Sequence, residues 1–527
     1  MRDLQVPGRS PAMAMNGMAA THNPHVTRTV IEVLRNGGTA IDAAVAAAAV
    51  LCVMEPQQTA IGGDCFVLMA KNGTDEVIGY NGSGRTPLGL KTDGLIPKGG
   101  ILEDVSPHAV TIPGAIDAWT RLVADHGRKE MAELLAPAIA FARDGFPVHP
   151  RVANDWHEEE KRLRRDPNAT RIFLPRGRSM RAGEVFRNPG LADALRRVAA
   201  KGRDGFYKGA VAKDIVDNLQ SLGGYHTMED FEMAAGEYVL PVRTDYRGLQ
   251  VCQIPPNNQG ITALLMLNIL ENYDLSKLSP MSAERLHLQI EAGRLAYRDR
   301  EAFVCDTGHS AFPTSEFLSK DYAAKLSKEI KVDRVMRHLP PPLMRKSETV
   351  YITVVDKDRN CASFINSVYW GFGSTRVAPT YGITLQNRGI GFSLDPAHPN
   401  AISAGKRPLH TIMLGMALKA GRPFLSYGVM GGDYQPFGHT HVLTDIVDFG
   451  LDPQEALDQG RVFYSNDEVQ AEHGVPAEAV EGLRKLGHKV VSAPEPLGGG
   501  QMIQIDWTEG VLIGGSDARM DSCALGY

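Results

Sequence analysis

Three short patterns in this sequence hold residue types that could take part in catalysis. Thr349 lies in the run SETVY (347–351), where a polar loop passes into a β-branched strand and the hydroxyl is a latent nucleophile. The glycine pair at 431–432 offers backbone N–H groups with no side chains to obstruct an oxyanion. The run HTH (439–441) has the H-x-H form of some metal sites, although no companion ligand at suitable spacing supports it. Taken alone, the three patterns also fit a strand junction, a tight turn and packed histidines.

A series of longer matches, in a fixed order along the chain, favours the catalytic interpretation. The matching runs are NGGTAIDAAVAAAAVL (36–51), IGGDCF (61–66), TVYITVVDKDRN (349–360), GFGS (371–374), KRPL (406–409) and MGGD (430–433). The first two resemble the opening of the large subunit of the γ-glutamyltransferase family, and the other four resemble its small subunit. The resemblance covers nearly the whole chain.

The resemblance implies an N-terminal nucleophile hydrolase, an α/β protein built as a four-layer αββα sandwich, whose precursor cuts itself before a threonine. The matching bond joins Glu348 to Thr349, so residues 1–348 are expected to form a helix-rich large subunit and residues 349–527 a strand-rich small subunit. In the implied reaction the Thr349 hydroxyl attacks the Glu348 carbonyl, an N-to-O acyl shift gives an ester, and water hydrolyses it. The freed α-amine has a reference pKa of about 7.7 to 8.0 and then acts as the base for its own hydroxyl.

The same alignment implies roles for five other residues. Gly431 and Gly432 match the oxyanion pair of the family, and Ser367 matches a threonine whose hydroxyl orients the nucleophile. His410 and Thr411 replace the serine pair that binds the carboxylate of a γ-glutamyl donor, and both can still donate hydrogen bonds.

The expected donor site differs from that of the transferases in its charge. The asparagine and the acidic residue that bind the donor amine align with Tyr369 and Gly391, which provide no carboxylate. Arg388 aligns with another amine contact, where a cation repels an ammonium group and attracts an acid. Arg85, displaced by two places from the arginine of the family, is a candidate partner for an acidic group of the substrate, and an exposed surface arginine is the competing interpretation.

The sequence therefore predicts a hydrolytic enzyme of the acylase-like and oxamate-amidohydrolase-like branch. The segment 392–406 is shorter than the lid loop of the transferases, which leaves an acyl-enzyme open to water. The expected substrate is a small, anionic, oxamate-like or dicarboxylic-acid amide. A γ-glutamyl hydrolase or transpeptidase acting on glutathione is the alternative, and it would need Tyr369, Arg388 and Asp433 to rebuild an amine site. A binding protein without turnover and a metal hydrolase built on the H-x-H run are further alternatives.

Composition excludes several other classes of protein. The chain has 527 residues, with 56 Lys and Arg against 61 Asp and Glu, so its charge of −5 gives no attraction to nucleic acid or to an acidic membrane. The six cysteines lack CxxC spacing, and the implied chemistry needs no metal or organic cofactor. The apolar run 43–54 is too short to span a bilayer, and residues 1–18 lack the apolar segment of a secretory signal. We expect a cytoplasmic enzyme whose partners are a small amide and its own second subunit, with a higher oligomer left open.

Helices in the first part and strands in the second are expected to position these residues. Residues 26–34 and most of 114–330 have helical spacing, whereas 41–54 is apolar all round and predicts a helix buried between layers. The Asn-Gly pair at 72–73 predicts a hairpin. After a proline-rich loop at 331–346, the apolar runs predict strands at 350–355, 362–367, 381–386, 409–418, 424–429, 502–505 and 510–513.

Overall fold

The computed structural model describes residues 8–93, 95, 102–336, 339 and 348–527, and of Glu348 it describes the backbone only. Much of the predicted proline-rich loop therefore lies outside the described residues. Within these ranges no helix combines the length and the apolar character needed to cross a membrane.

The chain forms nineteen strands and seventeen α-helices within the described ranges. The strands are β1 (Ala12–Ala14), β2 (Met18–Thr21), β3 (Asp64–Ala70), β4 (Val77–Gly82), β5 (Phe146–Pro147), β6 (Val185–Phe186), β7 (Glu237–Val239), β8 (Val242–Tyr246), β9 (Leu249–Gln253), β10 (Glu348–Val355), β11 (Cys361–Tyr369), β12 (Gly415–Lys419), β13 (Arg422–Val429), β14 (Val462–Ser465), β15 (Glu468–Ala471), β16 (Val490–Ser492), β17 (Gly500–Asp506), β18 (Val511–Ser516) and β19 (Cys523–Gly526). The helices are α1 (Pro24–Arg35), α2 (Ala40–Met54), α3 (Ala115–His126), α4 (Met131–Asp144), α5 (Pro150–Leu163), α6 (Pro167–Phe173), α7 (Pro189–Lys201), α8 (Asp204–Tyr207), α9 (Gly209–Ser221), α10 (Met228–Met233), α11 (Gly260–Leu270), α12 (Ala283–Phe303), α13 (Thr314–Phe317), α14 (Lys320–Ser327), α15 (Gln435–Phe449), α16 (Pro453–Asp458) and α17 (Ala477–Lys485).

Fourteen of the strands form two seven-stranded antiparallel sheets. Sheet I has the order β19-β2-β10-β11-β3-β4-β7, and sheet II has the order β1-β18-β17-β13-β12-β9-β8. In both sheets, strands that precede Thr349 in the chain pair with strands that follow it.

The two sheets pack face to face, and helices cover the outer face of each. Alternation along β10 shows the arrangement, because Val350, Ile352 and Val354 pack against the helices whereas Tyr351 packs between the sheets. The outer face of sheet I is covered by helices from α1 to α10, and that of sheet II by helices from α11 to α17. The predicted four-layer αββα sandwich is thereby confirmed.

Helix α2 lies between sheet I and the other helices of its layer, as its sequence predicts. All fifteen of its residues are buried, and seven of them are alanines, whose small side chains allow close packing on every side. Thr39 and Asp42 form a capping box at its N-terminus, which satisfies backbone donors that burial would otherwise leave unpaired.

Three of the predicted strand features can be compared directly with the structure. The hairpin at 72–73 is confirmed, since β3 pairs with β4 and both turn residues have positive φ. The predicted strand at 381–386 is wrong, because Gly382 with a φ of 61° turns the chain and leaves only isolated bridges. The predicted strand at 409–418 is too long. Its first half bonds to the loop at 257–259 instead of to a sheet, and the strand begins at Gly415.

Candidate active site

Thr349 lies at the beginning of β10, an interior strand of sheet I. The pairing of β10 with β11 is irregular between Glu348 and Val350, a local bulge of the kind that re-aims a side chain. The Thr349 side chain is fully buried, and its hydroxyl donates to Ser367 Oγ on β11 at 3.2 Å. Two adjacent strands therefore fix the position of this hydroxyl.

The side chains of β10 that face sheet II show what lies opposite Thr349. Thr353 Oγ1 donates to Ser426 Oγ on β13 at 2.7 Å. Two residues earlier, the Tyr351 ring packs so closely on Gly428 that a Cβ at 428 would lie 2.5 Å from it. The two strands thus run in opposite directions across the interface. The first residues of β10, which include Thr349, and the last residues of β13, which lead into the double-glycine turn, therefore lie at the same end of the two sheets.

The double-glycine turn has a conformation that strongly favours glycine. Gly431 has a φ of 119° and Gly432 a φ of 58°, and a Cβ at 431 would lie 3.0 Å from the Gly498 Cα. The Gly432 carbonyl accepts from Gln259 Nε2 at 2.9 Å. Among the described residues no acceptor lies within hydrogen-bonding geometry of the N–H groups of 431 and 432. The turn can therefore supply two backbone donors to an oxyanion.

Arg388 is a fully buried cation in the cluster around Thr349. Its Nη1 donates to Thr411 Oγ1 at 2.8 Å and its Nη2 to Ser367 Oγ at 3.3 Å. No carboxylate in the described part of the chain forms an ion pair with Arg388, and the charges of Asp64 and Asp433 act on it only at longer range. Burial lowers the pKa of Arg388 to about 10, which leaves the guanidinium charged at neutral pH.

Tyr369 is held in a strained backbone conformation that places its ring on Arg388. Its φ is 83°, a value that few residues other than glycine adopt, and its N–H donates to Ser367 Oγ at 2.9 Å. The Arg388 guanidinium carbon lies 3.9 Å from the centre of the Tyr369 ring, which is a cation–π contact. Ser367 Oγ therefore accepts from Thr349, Tyr369 and Arg388, and it is the hub of the cluster.

His410 and Thr411 have separate environments. His410 Nε2 lies 2.9 Å from Asp64 Oδ2, and burial lowers the pKa of His410 to about 3, so the imidazole is neutral and donates. Thr411 Oγ1 accepts from Arg388 and so belongs to the Thr349 cluster. The other oxygen of Asp64 accepts from three donors, Gly84 N, Gly114 N and Gln386 Nε2.

Asp433 is already paired with a cation. Its Oδ1 accepts from Arg300 Nη1 at 2.7 Å, and both side chains are buried. Arg300 Nη1 also donates to Gln259 Oε1 at 2.7 Å. Gln259 in turn donates to the backbone carbonyls of Thr411 and Gly432. Asp433 therefore belongs to a network that supports the glycine turn.

Arg85 lies outside the Thr349 cluster. Its Nη1 donates to Asp306 Oδ2 at 3.2 Å and to the Gly405 carbonyl at 3.1 Å, and 41% of its side chain is exposed. It lines a cavity of about 270 Å³ with residues that include Ile112 and Met233. Within the described ranges Arg85 forms no hydrogen bond or ion pair with the residues around Thr349.

Of the expected cleavage site, the structure describes the strand register. The Glu348 backbone pairs with Tyr369 at the edge of the bulge, whereas the Glu348 side chain lies outside the described residues. In the intact chain the Thr349 nitrogen is part of the peptide bond, so the free amine that acts as a base would be produced only by cleavage.

Asp64, Gln259 and Arg300 are site residues that sequence reasoning missed. Asp64 accepts from the His410 side chain, and Gln259 joins Arg300 to the glycine turn. The signal for Asp64 was an acidic residue entering an apolar strand after Gly-Gly in the run 61–66. No comparable signal marks Gln259 or Arg300, because only the fold brings distant segments together around them.

Two histidine groups were tested as metal sites. In the H-x-H run, His439 Nε2 accepts from the Val429 N–H at 3.1 Å, and His441 packs against Arg285. The side chains of both histidines therefore already contact other residues of the core. Elsewhere, a separate buried cluster among the described residues has side chains that could hold a metal ion, namely His287, Glu291 and His488.

Comparison with known proteins identifies the family. The family model described as gamma-glutamyltranspeptidase matches residues 27–527. The chain belongs to this family. The expected resemblance is confirmed, and the protein is a hydrolytic enzyme of the N-terminal nucleophile type.

Similar proteins within the family differ in the substrates for which they are named. The glutathione hydrolase-like YwrD proenzyme of Bacillus subtilis is 39% identical over an alignment of 503 positions, which covers 94% of this chain and 95% of that protein. The oxamate amidohydrolase proenzyme of Klebsiella pneumoniae is 31% identical over an alignment of 537 positions, gaps included, which covers 98% of this chain and all of that protein. The crystal structure of a cephalosporin acylase from Bacillus halodurans has a TM-score of 0.93 at 39% identity, over 100% of this chain and 99% of that one.

Proposed function

We propose that this protein is an autoprocessing N-terminal-threonine amidohydrolase that cleaves a small anionic amide. The proposed nucleophile is Thr349, the proposed cleavage site is the bond between Glu348 and Thr349, and the mature enzyme is a heterodimer of the two products. Family membership supports the general chemistry, and the contacts around Thr349 support this assignment of residues.

Maturation begins with the hydrogen bond that the precursor already has. Ser367 Oγ accepts a hydrogen bond from the Thr349 hydroxyl at 3.2 Å, which orients and polarises that hydroxyl for attack on the Glu348 carbonyl. The acyl group moves from the Thr349 nitrogen to its oxygen as the C–N bond breaks and the hydroxyl proton passes to the nitrogen, and water then cleaves the ester into a Glu348 carboxylate and a Thr349 hydroxyl. The reaction releases the α-amine of Thr349.

Amide hydrolysis repeats these steps with an external substrate. The free amine takes the hydroxyl proton while Thr349 Oγ attacks the substrate carbonyl, and the N–H groups of Gly431 and Gly432 bind the oxyanion. The amine then gives the proton to the leaving nitrogen. Water hydrolyses the acyl-enzyme and releases an acid.

The single observation that supports an anionic substrate is the buried charge of Arg388. Arg388 is buried and has no ion-pair partner among the residues that the structure describes, which is costly for a cation, and an acidic group of the substrate would provide its counter-charge. An ammonium group would instead be repelled. An oxamate-like or dicarboxylic-acid amide carries such an acidic group. The Klebsiella relative is named for a substrate of this kind, oxamate.

A γ-glutamyl donor is the second candidate, because similar proteins of Bacillus subtilis and Escherichia coli are named glutathione hydrolases. Such a donor carries a cationic α-amine that needs an acidic partner. Asp433 is the nearby acidic residue suggested by the sequence, and it is paired with Arg300. We therefore place γ-glutamyl amides behind anionic amides.

For location we propose the cytoplasm, which the six unpaired cysteines support.

The test of this function is maturation of the wild-type protein beside Thr349→Ala. We expect the wild type to give fragments of 348 and 179 residues, about 38 and 19 kDa, the smaller beginning Thr-Val-Tyr-Ile. Thr349→Ala should remain uncut and inactive on every amide. Thr353→Ala is the matched control on the same face of β10, and it should mature. An uncut wild-type chain, or a cut at another bond, would contradict the proposal.

A further inference from the structure

The dipeptides 369–370 and 387–388 lie side by side near Thr349 and make two contacts with each other. The Trp370 N–H donates to Asn387 Oδ1 at 3.3 Å, and the Arg388 guanidinium lies 3.9 Å from the centre of the Tyr369 ring. The segments 369–370 and 387–388 are therefore held side by side, and Ser367, which receives the Thr349 proton, also accepts from Arg388.

This junction holds three buried N–H donors that have no acceptor in the described part of the chain. They are Asn387 Nδ2, Arg388 Nε and Trp370 Nε1. The amide of Asn387 is oriented by its contact, since only its oxygen can accept from the Trp370 N–H. Buried donors are nearly always paired in proteins, so three unpaired donors on adjacent residues need an explanation.

We infer that Asn387, Arg388 and Trp370 form an oxyanion-binding subsite for a carboxylate of the substrate. A carboxylate has only acceptor atoms and a negative charge, so it can pair with the two neutral donors and with the guanidinium together. An ammonium group has only donors and would leave all three unpaired. This inference rests on the proposed amidase function and extends it, because it names the residues that select an acid.

The position of the subsite also limits the length of the acyl group. Arg388 contacts Ser367, which contacts Thr349, so a carboxylate bound to Arg388 is linked to the nucleophile by a chain of three hydrogen bonds. The two functional groups of the substrate must therefore be close together. Monoamides of short dicarboxylic acids meet this condition.

The experiment compares a carboxylate with its uncharged ester in the mature enzyme. The probes are the mono-p-nitroanilides of oxalic, malonic and succinic acids and the methyl ester of each. We expect the wild type to prefer at least one acid over its ester in kcat/KM by about a hundredfold. Trp370→Phe and Asn387→Ala should each raise KM for that acid about tenfold, while kcat/KM for the ester changes less than threefold.

The control is Trp507→Phe, because the Trp507 N–H already donates to the Pro423 carbonyl at 2.7 Å. It should leave the preference for the acid unchanged. If Trp370→Phe and Asn387→Ala lowered kcat/KM equally for the acid and the ester, both residues would have only a packing role, and the inference would be overturned. A wild-type enzyme with no preference for any acid would overturn it as well, independently of whether the variants fold. In both cases the 19 kDa fragment and turnover of the ester would still support the proposed function.

Discussion

The hydroxyl groups of Thr349 and Ser367 are joined by a hydrogen bond of 3.2 Å that crosses from β10 to β11. Ser367 is fixed by its pairing with Asp64 on β3, and Thr349 lies in the bulge between Glu348 and Val350, both of which pair with β11. Ser367 also accepts from the Tyr369 N–H and from Arg388, which leaves it little freedom to rotate. The acceptor for the nucleophile's proton is thus preorganised before cleavage.

Ser367→Ala should slow maturation and turnover by about 10 to 100-fold, because it removes the acceptor that polarises Thr349. Ser367→Thr retains the hydroxyl and should recover most of the rate. The measurement is the time course of fragment formation on gels. Ser363→Ala is the matched control, since Ser363 bonds to the Tyr351 hydroxyl on the same strand pair. Equal rates in Ser367→Ala and Ser363→Ala would refute the role of Ser367.

Arg388→Met should lower kcat/KM for an anionic amide about a hundredfold and change that for a neutral amide far less. The reason is the loss of a buried counter-charge, an effect of about 3 kcal/mol. Arg388→Lys should retain part of the preference, because it keeps the charge but loses the planar fork. Arg422→Met, which removes a cation stacked on Trp507, is the control. A uniform loss on both amides would contradict the prediction.

Gly431→Ala should lower kcat at least a hundredfold with little change in KM. A Cβ at 431 strains a φ of 119° and approaches the Gly498 Cα at 3.0 Å, so the backbone donor must move. Gly450→Ala is the control: Gly450 also has positive φ, at the end of α15, but its Cβ meets no atom within 4 Å. It should cost about 1 kcal/mol of stability and leave kcat unchanged. Steady-state kinetics on the mature enzyme separates the two outcomes.

The free energy of unfolding should fall steeply as the pH drops below about 6.5. Burial lowers the pKa of His226 to about 4 and the pKa values of His410 and His439 to about 3, and it also lowers the pKa of His441 well below its usual value. Between these values and 6.5 the unfolded chain binds protons that the folded chain does not. Stability is therefore complete above pH 6.5 and is lost toward pH 3, at about 1.4 kcal/mol per pH unit for each group.

The variant that tests this acid dependence is His439→Gln, whose amide oxygen can still accept from the Val429 N–H. It should reduce the slope of unfolding free energy against pH by about one group. His157→Gln removes an exposed histidine and should leave the slope unchanged. Urea unfolding at several pH values between 4.5 and 7.5 gives both slopes. An unchanged slope in His439→Gln would show that the protonation of His439 does not drive the loss.

Local sequence patterns predicted the elements that repeat a simple period. The alternating residues of β10 and the all-round apolar surface of α2 are such cases, because burial on one side or on all sides dictates them. The run 409–418 failed for the opposite reason. It is as apolar as a strand, yet backbone bonds to 257–259 hold its first half, and a pairing with a distant loop leaves no periodic signal.

The candidate site divides in the same way. Thr349, Ser367 and the glycine pair were predicted from runs that resemble a family, and the structure brings Thr349 and Ser367 into contact. The sequence also assigned His410 and Thr411 one common role, whereas the structure turns His410 to Asp64 and gives Thr411 to Arg388. Directions of neighbouring side chains depend on contacts made by residues hundreds of positions away.

Cleavage before Thr349 would turn refolding of this protein into a reaction between two molecules. Sheet I contains β2, β3, β4 and β7 from the first piece and β10, β11 and β19 from the second, and sheet II is divided in a similar way. The pieces cannot part while either sheet is intact. Once unfolded, however, they must meet again by diffusion, whereas the uncut chain keeps them tethered. The lifetime of the folded mature enzyme would thus depend on how slowly it unfolds, whereas the uncut precursor could unfold and refold reversibly.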